Sequence, residues 1–124
     1  MFQESHLFNR SLKENVSYGV KDPSEKQYLT VGNEVGLQAL FEENKIVDTT
    51  MGNLSGGEQK RVAIARGLLR SCDIFLFDEP TSGLDEAAAG TICKLIAGLK
   101  KDHIVVVSTH DSRFRAVAEH LIEL

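Results

Sequence analysis

The sequence is poor in cysteine, proline and long apolar runs, has no tryptophan, and carries no excess of basic residues. Its two cysteines, Cys72 and Cys93, form no CxxC motif, which favours a reduced cytosolic setting with both side chains in the core. The apolar runs, such as residues 74–77 and 104–107, are far shorter than the roughly 20 residues of a membrane-spanning helix. The net charge of −4, from 14 basic and 18 acidic residues, excludes a basic footprint for nucleic acid or an anionic membrane.

Length and composition predict one globular domain. A chain of 124 residues is ordinary for a single domain with its own core. Its 42% hydrophobic and 26% charged residues exclude a disordered or low-complexity chain. Met1 and Phe2 lead directly into Gln3, Glu4 and Ser5, so we expect no secretory signal peptide.

The first part of the chain, up to Leu54, is polar and rich in helix signals. The pattern Ser11-Leu12-Lys13-Glu14 is typical of a capping box that opens a helix. Asp22 and Pro23 have the residue types of an N-cap and a first helical position. These signals, with apolar spacing further on, predict helices at about residues 11–17, 23–30 and 35–43.

The second part alternates helical patterns with β-branched runs. It predicts helices at 55–70, 86–100 and about 114–118, and strands at 74–77 and 104–107. The two strand segments are continuously apolar, so we expect both of their faces to be buried. A strand, a helix and a second strand within about thirty residues make a βαβ unit, which requires parallel strands. Residues 120–124 have the pattern of a further strand. The fold class predicted is α/β.

Three polar side chains follow the predicted strands. Asp78 and Glu79 come at the end of the first strand, and His110 follows the second. Because the carboxyl ends of adjacent parallel strands lie at one edge of a sheet, we expect the three to be neighbours. Such a carboxylate pair suits Mg²⁺ with a nucleotide, leaving one carboxylate to orient or deprotonate a water molecule. Taken alone, Asp78 and Glu79 allow an alternative interpretation, in which the two acids only face solvent or cap the following turn.

The tetrapeptide Ser55-Gly56-Gly57-Glu58 predicts a second capping box. Capping does not account for two glycines in the first turn, where each costs stability relative to alanine. Glycines at a helix start let an anion such as phosphate approach the free backbone N–H groups. The usual phosphate-binding loop, GxxxxGK[ST], is not found among the 124 residues.

Three segments, in this order, resemble the motifs of ABC-type ATPases. Residues 54–66 (LSGGEQKRVAIAR) resemble the signature motif, with Glu58 where glutamine is most often found. Residues 74–85 (IFLFDEPTSGLD) resemble the Walker B motif running into the D-loop. Residues 108–111 (STHD) resemble the loop of the switch histidine.

The beginning of the chain extends this resemblance. Phe2-Gln3-Glu4 is similar to the family's Q-loop, and residues 7–19 look like the stretch that follows it in exporter-type members. The resemblance implies a partial P-loop NTPase-type fold, with parallel strands, flanking helices and an α-helical subdomain. Residues 1–54 would hold the Q-loop and that subdomain, and residues 55–124 the signature helix and part of the ATPase core. The Walker A half is absent, so we expect a C-terminal portion of a nucleotide-binding domain.

The resemblance also implies roles for the residues around the predicted strands. Glu79 would be the general base, and His110 would bridge the γ-phosphate and the catalytic region. Asp78 would hold Mg²⁺ through water. Gln3 would contact Mg²⁺ and the attacking water, and report the nucleotide state to the membrane domain.

For the signature motif, the resemblance implies contact with a second chain. Ser55, Gly56, Gly57 and Glu58 would bind ATP held by a second nucleotide-binding domain, and Asp85 would meet that domain across the dimer. The partners implied are that second domain and the transmembrane domains of a transporter, at the cytoplasmic face of a membrane. The substrate and cofactor implied are ATP and Mg²⁺, with no nucleic acid.

The same motifs suit two other classes of protein. The chain could be a non-catalytic half-domain that offers its signature face to another ATPase chain, or pairs with one. The structural-maintenance-of-chromosomes ATPases share these motifs but insert a long coiled coil before the signature. Only 51 residues separate Gln3 from Ser55, with no sustained heptads, which excludes that class.

Overall fold

The computed structural model describes residues 6–48 and 52–123. Within them the elements are α1 (Leu12–Ser17), α2 (Glu25–Glu34), α3 (Gln38–Glu43), α4 (Gly56–Leu69), β1 (Ile74–Asp78), α5 (Glu86–Leu99), β2 (Ile104–Ser108) and α6 (Arg113–Val117). The described chain divides into two compact units, a helical unit of residues 6–72 and an α/β unit of residues 73–123. The domain division predicted at residue 54 stays a prediction.

The first helix of the helical unit begins as predicted, and the second does not. The Ser11 hydroxyl oxygen accepts the N–H of Glu14 at 3.1 Å. The second helix begins at Glu25, because Ser24 caps it and forms a capping box with Gln27. The predicted cap, Asp22, has a φ of 46°, which is incompatible with the extended backbone of an N-cap.

The second helix also continues past its predicted end because of a close contact with the third. A Cβ atom placed on Gly32 would lie 2.4 Å from the ring of Phe41, so the ring occupies the space that a side chain would need. The rings of Tyr28 and Phe41 stack with centroids 4.9 Å apart, and the Tyr28 hydroxyl donates to the Phe41 carbonyl at 2.9 Å. The glycine is therefore a packing requirement within the helix.

The signature helix α4 is the longest helix of this unit and packs against α1 and α2. It begins after Ser55 and ends before Arg70, as predicted. Its buried residues are Val62, Ala63, Ile64 and Ala65, near the middle of the helix. The remaining core of the unit comprises Leu12, Val16, Tyr28, Val31, Val35, Leu37, Phe41, Val47 and Leu54.

The two strands of the α/β unit pair in parallel, as predicted. Their register runs from Ile74 opposite Ile104 to Asp78 opposite Ser108. Phe75 and Phe77 are buried on one face of this sheet. The buried side chains of α5 are Ala88, Ala89, Ile92, Cys93 and Ile96, and α5 lies against β2.

The prediction that both faces of the strands are buried is wrong for the described residues. Side chains alternate between faces along a strand, and the second face carries Ile74, Leu76, Ile104 and Val106. These four side chains are between 53% and 63% exposed. The sheet therefore has one covered face, and burial on that face explains the apolar side chains of Phe75 and Phe77 only.

Three smaller predictions can also be compared with the structure. Residues 120–123 form no strand. Cys93 is buried as predicted, whereas Cys72 is exposed, because it lies beyond the end of α4. In the part of the chain that the structure covers, no helix has the length and apolar character needed to cross a bilayer.

The contact between Gly32 and Phe41 predicts a steric effect. Gly32→Ala places a Cβ atom into the Phe41 ring and should lower the free energy of unfolding by about 1–3 kcal/mol. Gly90→Ala in α5 is the matched control, because open space surrounds that helical position. It should raise the free energy of unfolding by up to about 1 kcal/mol. Urea unfolding followed by circular dichroism measures both, and equal effects of the two changes would contradict the packing argument.

The buried phenol of Tyr28 predicts a pH effect. Burial first, and the nearby charge of Glu25 second, raise the pKa of Tyr28 from 10.0 to about 12. The unfolded chain therefore loses this proton first, so stability is unaffected below pH 10 and falls as the pH rises towards 12. Tyr28→Phe should remove that part of the pH dependence, at a cost of about 1 kcal/mol for the lost hydrogen bond. Urea unfolding between pH 8 and 12 compares this variant with the unsubstituted chain, and the same pH dependence in both would contradict the role of the buried phenol.

Candidate active site

The end of the parallel sheet positions the acidic pair. Because Asp78 lies opposite Ser108, the residues that follow the two strands meet at the same edge. The N–H of Glu79 donates to the carbonyl of Ser108 at 2.7 Å, which extends the ladder by one residue past β1. His110 follows β2 by two positions at this edge.

Glu79 and His110 are direct neighbours. Glu79 Oε1 lies 3.6 Å from His110 Nε2. The Glu79 side chain is 22% exposed, whereas that of His110 is 99% exposed. A partly buried carboxylate beside an open imidazole can accept a proton from a water molecule, while the imidazole can donate a hydrogen bond to an anion.

Two consecutive turns lead from the acidic pair into α5. The N–H of Ser82 donates to the carbonyl of Glu79 at 3.2 Å, with Pro80 at the position of the turn that favours proline. The N–H of Leu84 donates to the carbonyl of Thr81 at 3.2 Å, and Gly83 supplies the positive φ of 77° that this second turn requires.

Asp85 ends these turns as the N-cap of α5. Its carboxylate accepts the N–H of Ala88 at 2.8 Å. The residue that the family resemblance assigns to the dimer contact thus also has a local structural role. Both the turn residues and this cap could be predicted from the residue types.

The backbone of Glu79 lies in the left-handed region, with a φ of 47°. Non-glycine residues adopt this conformation at a cost of about 1–2 kcal/mol. The chain therefore keeps a carboxylate at a position where glycine would be the less strained choice. Strain held at a chemically competent residue is typical of functional sites.

The start of α4 has the geometry predicted for it, in the helical unit. Ser55 Oγ accepts the N–H of Glu58 at 3.1 Å, and Glu58 Oε1 accepts the N–H of Ser55 at 2.9 Å. Both side chains of the capping box are thus engaged. Gly56 and Gly57 form the first turn, where backbone N–H groups have no carbonyl four residues before them. No atom lies within 4 Å of a Cβ placed on Gly56, so an anion can approach its backbone.

A second set of contacts fixes α4 to the segment that follows the predicted Q-loop. Arg66 Nε donates to the carbonyl of Asn15 at 2.8 Å, and its Nη1 donates to that of His6 at 3.0 Å. The buried Asn15 side chain accepts the N–H of Phe8 at 2.7 Å and donates to its carbonyl at 2.9 Å. Sequence reasoning missed Asn15 and Arg66, because nothing local marks an asparagine that serves distant backbone groups. Gln3 itself lies outside the described residues.

Sequence reasoning also missed a polar network beside the acidic pair. Thr81 and Arg113 both bond to the carboxylate of Asp111, the residue after His110. Asp111 also accepts the N–H of Arg113, two residues on, in an Asx-type turn at 3.0 Å. The Asx turn could have been predicted from the sequence, whereas the bond to Thr81 could not.

Asp78 and Glu79 are better suited to Mg²⁺, which also takes water and phosphate ligands, than to a metal whose ligands are all protein side chains. Over residues 6–48 and 52–123 no group of three or more histidine, cysteine or acidic side chains could hold a metal. Mg²⁺ typically takes one or two carboxylates and completes its shell with water and phosphate oxygens. The exposed carboxylate of Asp78 is a suitable donor of this kind.

Comparison with known proteins gives the family. A family model described as ABC transporter matches residues 1–82, which is more than half of the chain. The chain belongs to the ABC transporter family. Its relatives include proteins named as ATP-binding proteins. Membership of the family confirms the resemblance carried by the signature and Walker B segments.

The relatives are larger proteins. The chain is 35% identical over 114 residues to the ATP-dependent lipid A-core flippase of Haemophilus influenzae. This match covers 87% of the chain and 19% of the flippase. The chain is 38% identical over 117 residues to the phosphate import ATP-binding protein PstB of Methylobacillus flagellatus, covering 90% of this chain and 45% of PstB. The chain thus spans less than half the length of either relative.

A solved structure confirms the fold class. The structure of a bacterial Atm1-family ABC exporter with ATP bound matches with a TM-score of 0.82 and 28% sequence identity. The match covers 95% of this chain and 21% of the exporter chain. The α/β fold of the P-loop NTPase type predicted from the motifs is therefore shown.

The left-handed backbone of Glu79 predicts a difference between two variants that both lack the carboxylate. Glu79→Gly should be more stable than Glu79→Ala by about 1 kcal/mol, because glycine adopts a positive φ without strain. The same pair at Lys94, in the middle of α5, should show the opposite order by up to about 1 kcal/mol. Urea unfolding measures all four variants. Equal stability of the two Glu79 variants would contradict the strain.

Proposed function

We propose that this chain is the signature and catalytic-acid portion of the ATP-hydrolysing subunit of an ABC transporter, which powers movement of a substrate across a membrane. The observation that carries the proposal is the 3.6 Å approach of Glu79 Oε1 to His110 Nε2 at the carboxyl ends of paired parallel strands. Membership of the family supports the same chemistry.

Each residue at this edge has a role in the proposed reaction. Glu79 accepts the proton of the water that attacks the γ-phosphate of ATP. His110 donates a hydrogen bond to that γ-phosphate and, from its place beside Glu79, keeps the phosphate at the reacting position. Asp78, with Gln3, would hold Mg²⁺, which neutralises charge on the phosphates when bound.

The start of α4 has the complementary role. Ser55, Gly56 and Gly57, with Glu58 completing the cap, bind the γ-phosphate of ATP held by a second nucleotide-binding domain. The free N–H groups and the positive end of the helix dipole support an anion at this place. Asp85 meets the same domain. The other partners proposed are transmembrane domains, which place the chain at the cytoplasmic face of a membrane.

Hydrolysis in this proposal needs a phosphate-binding loop in addition to the 124 residues. The pattern GxxxxGK[ST] is not among them, so by themselves they are expected to hydrolyse no ATP. For direction, we propose an exporter-type parent. The stretch 7–19 and the match to an Atm1-family exporter support this choice, whereas the relative PstB is named as an import protein.

An ATPase assay on a chimera tests the proposal. In the chimera, the 124 residues replace the matching segment of the Atm1-family exporter, which supplies the rest of a protein known with ATP bound. Glu79→Gln should lower kcat by about 10²-fold or more with ATP binding retained, because it removes the proton acceptor. Glu119→Gln is the matched control: this carboxylate is 70% exposed and should leave kcat unchanged.

Two results would overturn the proposal. One is a Glu79→Gln chimera that hydrolyses ATP at the rate of the unsubstituted chimera, since another group would then be the base. The other is a folded chimera that binds ATP and hydrolyses none, which would favour the non-catalytic half-domain. The 124 residues assayed alone provide the background rate.

A further inference from the structure

The carboxylate of Asp111 is the centre of a hydrogen-bond network that the catalytic roles above do not use. Its Oδ2 accepts the hydroxyl of Thr81 at 2.7 Å and Nη1 of Arg113 at 2.7 Å. Its Oδ1 accepts the backbone N–H of Arg113 at 3.0 Å. The backbone N–H of Asp111 donates to Thr109 Oγ1 at 2.9 Å. With these partners the side chain of Asp111 is only 15% exposed.

This network joins the loops that follow the two strands. Thr81 lies two residues after Glu79 and is 7% exposed, and Asp111 lies directly after His110. The bond between them therefore ties the loop of the proposed base to the loop of the histidine. The ion pair of Arg113 with Glu86 extends the connection to the first turn of α5, next to Asp85.

The bonds to Asp111 are charge-assisted, so they are stronger than neutral ones. The backbone N–H of Arg113 and then the Thr81 hydroxyl lower the pKa of Asp111, against the opposing effect of burial. The group is therefore ionised at neutral pH. In contrast, the His110 side chain is almost fully exposed, and its ring lies beside Glu79. Its position must come mainly from the backbone of its loop.

We propose that Asp111 is a positioning residue that holds His110 at Glu79 by bonding the loop after β2 to Thr81 in the loop after β1. It does not itself touch the reacting atoms. The inference rests on the proposed function for its catalytic meaning, since a displacement of about 1 Å between reacting groups can cost 10²-fold in rate. The geometric part concerns this chain alone.

Nuclear magnetic resonance on the 124-residue chain, without nucleotide, tests the geometric part. The probe is cross-relaxation between the ring protons of His110 and the γ-protons of Glu79. Asp111→Ala and Thr81→Val should each reduce this signal severalfold, and the double variant should reduce it no further. Thr81→Ser keeps the hydroxyl and should restore the signal. Ser112→Ala is the matched control, because Ser112 makes no side-chain cap bond in the same loop.

A merely structural role for Asp111 would give a different result. In that case Asp111→Ala and Thr81→Val would lower the urea midpoint while the His110–Glu79 signal stayed intact, which would overturn the proposal. An absent signal in the folded unsubstituted chain would do the same. If Asp111→Ala unfolds the chain, Thr81→Val and Thr81→Ser still decide. Because no ATP is used, failure here is separate from failure of the ATPase assay on the chimera.

Discussion

Parallel pairing of β1 with β2 is the constraint on which the candidate active site depends. Parallel strands end at the same edge, and the register that sets Asp78 opposite Ser108 makes the next residues neighbours. The backbone bond from Glu79 to Ser108 continues that register past the strand. The short distance between Glu79 and His110 follows from this pairing, although 30 residues separate them in the chain.

What the pairing alone leaves open is the arrangement of the two loops. The turns through Pro80 and Gly83 give the first loop its path, and the left-handed backbone of Glu79 begins it. The second loop is short and its histidine is open to solvent. The partly buried carboxylate of Asp111 accepts a hydrogen bond from the buried hydroxyl of Thr81, so that the loops are connected by side chains as well as by the sheet.

The helical unit has a separate role, which is to hold the start of α4 with Gly56 exposed. Burial of Val62 through Ala65 fixes the middle of the helix, and the capping box closes its first turn. Arg66 bonds the helix to the backbone carbonyls of Asn15 and His6, in the segment near the predicted Q-loop. The chain belongs to the ABC transporter family, and a role of the helix start in nucleotide chemistry is part of the function proposed above.

The sequence by itself determined the types of the elements from α1 to α6, the caps at Ser11 and Ser55, the parallel strands and the placement of Asp78, Glu79 and His110 at one edge, but it also indicated a strand at 120–124, where residues 120–123 form none. The element types and the caps depend on periodicity and on contacts three or four residues apart, which residue types reveal directly. The parallel strands and their common edge follow from the helical connection between the strands. The start of α2 after Ser24 rests on a capping box with Gln27, a local pattern that the residue types also contain. Only the tertiary structure decided the burial of one strand face, the contact under Gly32 and the Thr81–Asp111 bond. Each of these depends on which distant side chain arrives at a given place, and packing of whole elements sets that.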